Sequence, residues 1–110
     1  PEEKAPRSEV STNVVKFGPV KHDGPRPSQS LTLSNTGRGD LIVRAVECGE
    51  GLSTPLEPGL AVPPGGSARI EVRLDPSADG YGARSSFLLL VTNDPLRPMR
   101  RIRATAVIEE

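Results

Sequence analysis

The chain has 110 residues, with 14 basic residues against 14 acidic ones and a formal net charge of zero. That length fits one domain, and the charge balance excludes binding to nucleic acid or an anionic membrane through bulk electrostatics, which needs excess Lys and Arg. The only aromatic residues of the Phe, Tyr and Trp types are Phe17, Phe87 and Tyr81, too few to build a stacking platform for single-stranded nucleic acid.

Residues 1–12, opening PEEKAPRSEV, are charged and proline-bearing without periodicity, and are expected to form a flexible arm or linker. The ordered domain is expected over 13–110. Val14, Val15 and Phe17 make a first short strand, broken at Gly18-Pro19 and resuming near Val20. Pro19 has no N–H, which places this strand on a sheet edge or at a switch between sheets. A loop follows from His22 to Pro27.

Ser28 to Ser34 alternates, with Leu31 and Leu33 set against Ser30, Thr32 and Ser34, the pattern of a half-buried strand. Asn35-Thr36-Gly37-Arg38-Gly39 reads as a turn. Leu41 to Glu47 is a third strand with two fairly apolar faces, so its inward face stays open. Residues 48–60 form a loop with room for a short strand. Ala61-Val62 leads into the breaker Pro63-Pro64-Gly65-Gly66.

Ala68 to Asp75 is the clearest strand, with Ile70, Val72 and Leu74 inward and Glu71 and Arg73 outward. Ser86 to Thr92 is nearly all apolar, as expected of a central strand buried on both sides. After the turn Asn93-Asp94-Pro95 comes the last strand, Met99 to Ile108, with Ile102, Ala104, Ala106 and Ile108 inward. No stretch carries a helical period. About seven antiparallel strands, each bounded by turn residues, predict an all-β, immunoglobulin-like β-sandwich. The 11 glycines and 12 prolines fit its many turns.

The segments FGPV (Phe17–Val20), SNTGRGDL (Ser34–Leu41), VECG (Val46–Gly49), PPGGSA (Pro63–Ala68), LDP (Leu74–Pro76), GYG (Gly80–Gly82) and VTNDP (Val91–Pro95) follow one another in an order that resembles a bacterial Ig-like family of unknown function. That family is related to the ASH and Hydin-like domains and, more distantly, to major sperm protein domains. The resemblance covers roughly residues 13–108. It implies a sandwich in an exported or envelope protein with no established activity. Members often carry Cys-Gly-Cys where this chain has Cys48-Gly49-Glu50, so a metal, redox or disulfide role of that pair does not carry over.

Several residues merit a functional reading beside a plainer one. Cys48 is the sole cysteine, which excludes an internal disulfide; it is a thiol site or a small buried hydrophobe, and Glu47 and Glu50 beside it suppress the thiolate. His22 with Asp23 is half of a metal site or catalytic pair, with no second histidine to complete it; a solvated loop histidine is the simpler reading. Arg38-Gly39-Asp40 spells an adhesion tripeptide in a turn. Arg97, Arg100, Arg101 and Arg103 form a basic cluster: an interaction surface, or a solvated face that blocks edge aggregation. Asp75, Asp79 and Asp94 sit near turns, too sparsely for a calcium loop.

These readings together predict a non-catalytic binding or spacer module that contacts protein. No cofactor, metal or nucleic acid is expected. The alternatives are a structural repeat unit without a specific ligand and a thiol- or metal-dependent site around Cys48. The domain is expected to be monomeric, with no transmembrane segment and no signal peptide in this chain, and to work in the periplasm, the cell envelope or outside the cell.

Overall fold

Alternation of period two gives each strand one apolar face, and two sheets with such faces bury each other. The structure, a computed structural model, describes residues 5–78 and 80–110. Pro1 to Lys4 of the expected arm, and Asp79, lie outside the described residues.

The strands are β1 (Ser8–Val10), β2 (Val14–Lys21), β3 (Ser28–Asn35), β4 (Leu41–Cys48), β5 (Leu52–Ser53), β6 (Ala61–Val62), β7 (Ser67–Leu74), β8 (Gly82–Thr92) and β9 (Met99–Glu109). They form a four-stranded sheet, β1-β3-β7-β5, and a five-stranded sheet, β2-β9-β8-β4-β6. This is the predicted all-β sandwich. Leu31 and Leu33 of β3 and Ile70, Val72 and Leu74 of β7 face Leu41 and Val43 of β4, Leu88 and Leu90 of β8, and Ile102 to Ile108 of β9. Each large aliphatic buried this way contributes about 1.5–3 kcal/mol.

Four details depart from the sequence reading. Ser8–Val10, inside the expected arm, is a strand, with Ser8 opposite Asn35 and Val10 opposite Leu33. It has no alternation to betray it, because its anchors are side chains far away in the chain. Secondly, Gly18-Pro19 does not break β2. A bulge between Lys16 and Gly18 absorbs the irregularity, with Gly18 at φ 70°, a left-handed conformation that glycine adopts freely. β2 does lie on an edge, and between Val10 and Val14 the chain switches sheets, as Pro19 suggested.

Thirdly, β2 pairs with β9 in parallel, whereas the other pairs among the described residues are antiparallel. Fourthly, β8 is not buried on both sides. Leu88 and Leu90 are fully buried, but the alternate residues Phe87, Leu89 and Val91 are only half-buried and are absent from the side chains packed on the core.

Two turns behave as their asparagines and aspartates suggested. Asn93 accepts from the Ile42 N–H at 2.7 Å and donates to the Asp40 carbonyl at 3.0 Å, pinning the end of β8 to the start of β4. Asn35, 1% exposed, accepts from the Arg7 and Gly37 N–H groups and donates to the Gly39 and Val62 carbonyls. Gly37 lets the N-terminal segment approach: a Cβ there would lie 2.3 Å from the Ala5 carbonyl oxygen.

Candidate functional site

The outward face of the five-stranded sheet is built in rows. Pairing sets Glu47 of β4 opposite Leu89 of β8, and Leu89 opposite Arg101 of β9. One row up, Ala45, Val91 and Met99 align; one row down, Phe87 faces Arg103. Directly opposed residues share a face. Because Leu88 and Leu90 point into the core, these rows point out. Met99 is 59% exposed.

The Arg101 guanidinium lies over the Phe87 ring, 4.8 Å from its centre, a favourable placement of a cation on an aromatic face. Arg103 donates from Nε and Nη2 to the Ser85 hydroxyl at 3.4 and 3.3 Å. The ion pairs among the described residues involve neither arginine. Together with Ser85 and Ser86, these side chains line an open hollow of about 500 Å³.

The structure therefore divides the predicted basic cluster. Arg101 and Arg103 share this face. Arg100 turns to the end of the sandwich, where its guanidinium holds the Ser8 carbonyl and, at 3.0 Å, the Ser8 hydroxyl. Arg97 sits on the β8–β9 turn, with its N–H on Asp94. Arg97 and Arg100 line a separate hollow of about 450 Å³ with Arg7, Glu9 and Asp94.

Asp94 is buried, 2% exposed. Burial alone would raise its pKa, but the N–H groups of Ser8, Leu96 and Arg97 and the Ser8 hydroxyl hold it below the ordinary carboxylate value. Asp75 is also lowered, mainly by the hydroxyl and N–H of Ser77, and Arg26 approaches it at 3.5 Å.

Cys48 is half-buried, packed on the core opposite Leu88, and burial raises its pKa. That keeps the thiol protonated and slow to react at neutral pH. His22 contacts Asp23 at 3.1 Å and its ring lies 4.8 Å from that of Tyr81. Tyr81 adjoins Gly82, whereas Cys48 pairs six residues further along β8, about 20 Å away at the rise of a strand. The two residues are not brought together. In the Arg38-Gly39-Asp40 turn, both charged residues are exposed, while the backbone is tied down by Ala5, Asn35 and Asn93.

Phe87, Leu89 and Val91 are the site residues that sequence reasoning missed. A continuous apolar run reads the same whether its second face meets protein or solvent; only pairing with the charged residues of β4 and β9 tells them apart.

A two-sheet sandwich whose chain switches sheets between β1 and β2, and whose larger sheet turns an apolar and basic face outward, defines an immunoglobulin-like domain by its architecture. Residues 6–105 match the family described as HYDIN/CFA65/VesB-like, Ig-like domain, and the chain belongs to that family. No curated protein matches the sequence.

Among the solved structures that share the fold are the following three. A protein of unknown function from Porphyromonas gingivalis W83 superposes with a TM-score of 0.85 at 23% identity, over 97% of this chain and 49% of that one. The human CEP192 ASH/PapD-like domain 7 gives a TM-score of 0.74 at 13% identity, over 94% and 85%. The periplasmic chaperone SfaE gives 0.70 at 7% identity, over 94% and 59%. The chain thus spans about half the length of the Porphyromonas protein.

Proposed function

We propose that this domain is a non-catalytic protein-contact module of a larger, extracytoplasmic protein, and that it works through the outward face of β4, β8 and β9. One observation carries the reading: β8 is apolar on both sides while only one side is core. A half-exposed apolar row flanked by arginines is the composition of a contact surface, where aromatic residues, Met and Arg are enriched. Membership of an Ig-like family and likeness to a chaperone and an ASH/PapD-like domain support protein contact. The periplasmic location of the chaperone supports an extracytoplasmic site.

The test is a photo-reactive residue at Leu89 in the full-length protein in its own cells, compared with one at Ser30 on the exposed face of the smaller sheet. Protein adducts at Leu89 and none at Ser30 are expected. Equal labelling at both positions, or none at either, would overturn the proposal. Fractionation of the same cells locates the adducts: recovery in the cytoplasm alone would overturn the extracytoplasmic assignment.

A further inference from the structure

We propose that the partner of this face is a second copy of the same domain, packed sheet against sheet about a two-fold axis running along β8. The inference rests on the contact face proposed above and names its occupant.

The argument starts from what the face can accept. β8 is the third of five strands and is paired to β4 and β9 on either side. Its backbone donors and acceptors are used by those neighbours, so an incoming strand cannot be added there by backbone pairing. Whatever covers the face must meet it with side chains. Face-to-face packing of a second sheet does this, at about 10 Å separation.

The rows then select the sheet. A two-fold axis along β8 lays each row on its own reverse. Leu89 meets its copy, Arg101 lies over Glu47, and Glu47 lies over Arg101. In the row above, Val91 meets its copy, and the exposed Met99 falls on the small Ala45. In the row below, Phe87 meets its copy. There Arg103 falls where β4 has run out at Gly49, whose N–H donates to the Phe87 carbonyl and which has no side chain to obstruct it. Charge and bulk are both self-complementary under this one operation. The closed two-fold arrangement buries the same patch on each copy. It replaces the monomer expected from sequence. The central patch of three short rows is smaller than a standard stable interface, so the dissociation constant is expected in the high micromolar range.

Sedimentation equilibrium on the chain, from about 10 µM to 1 mM, reads the association directly. The wild type is expected to shift from monomer to dimer across that range. R101E and E47R each set two like-charged contacts in the homodimer and are expected to weaken association at least tenfold. A 1:1 mixture of the two variants matches both contacts and restores dimer, as does the double variant R101E/E47R. Circular dichroism checks that each variant is folded.

A wild type that stays monomeric at 1 mM overturns the proposal, as does a mixture no more associated than the single variants. If Leu89 labels a different protein while the wild type stays monomeric, the contact face stands and the second copy falls. If Leu89 labels nothing, the contact face itself fails.

Discussion

Ser8 and Asp94 stand 86 positions apart and meet inside the protein: the Ser8 N–H and hydroxyl both donate to Asp94 Oδ2, at 2.8 and 3.0 Å. Through this contact the β8–β9 turn holds the first strand in the smaller sheet. Replacing Asp94 with Ala leaves the Ser8, Leu96 and Arg97 donors without their carboxylate, and should cost about 2–3 kcal/mol, since hydrogen bonds to a charged group are the strong ones. Urea unfolding at pH 7 measures the loss.

The same carboxylate sets a pH dependence. Its pKa is lower in the folded than in the unfolded chain, so the unfolded state binds its proton more readily. The stability it contributes is present above the unfolded value near 4 and is lost as pH falls through the lower folded value. Asp94→Asn should remove part of the acid sensitivity. The gap between its unfolding midpoint and that of the wild type should narrow from pH 7 to pH 3. A gap that stays constant with pH would mean that the charge of Asp94 plays no part.

Leu89 and Leu90 are chain neighbours on opposite faces. Leu90 is fully buried, so Leu90→Ala should cost about 2–5 kcal/mol. Leu89→Ala should stay within about 1 kcal/mol, because it removes no core contact. Thermal or urea unfolding of the two variants, measured side by side, tests the assignment of faces.

Asn35 satisfies four backbone groups at once. Asn35→Leu strands buried donors and acceptors at about 1–3 kcal/mol for each one left unpaired. It should therefore destabilise the protein more than Asn93→Leu, whose site is less buried. Midpoints from the same unfolding series check the order.

Cys48 should react slowly with a thiol reagent at pH 7 and faster as pH rises past the ordinary thiol range, because burial lifts its pKa. Labelling rates of native and urea-unfolded protein give the comparison. An equal rate in both would place the thiol in solvent.

The alternating strands were legible because each wrote its burial into a period of two: β3, β7 and β9 face as their leucines, valines and isoleucines require. β1 was illegible for the opposite reason. Ser8 is buried by a carboxylate and a guanidinium supplied from the other end of the chain, and no local pattern records that. The outward face of β4, β8 and β9 was half legible. Arg101 and Arg103 stood out as alternating charges, but their neighbours on β8 were hidden in an apolar run, and Glu47 looked like a cysteine's neighbour rather than a member of the same outward row. Arg100 shows the limit of reading charge along a sequence: one residue from Arg101, it belongs to the other side of the strand and to a structural contact.

The parallel pairing of β2 with β9 carries a mechanical meaning. The N-terminal segment lies by Asn35 and Asp94, whereas Glu109 and Glu110 lie by His22 and Lys21 at the far pole of the sandwich. A pull on the two ends in opposite directions draws β2 and β9 past each other along their length. The seven paired positions between them are then loaded together in shear, rather than opened one after another like a zipper. A domain loaded at its two ends would resist stretching by that clasp, and would release only when the whole ladder slips at once.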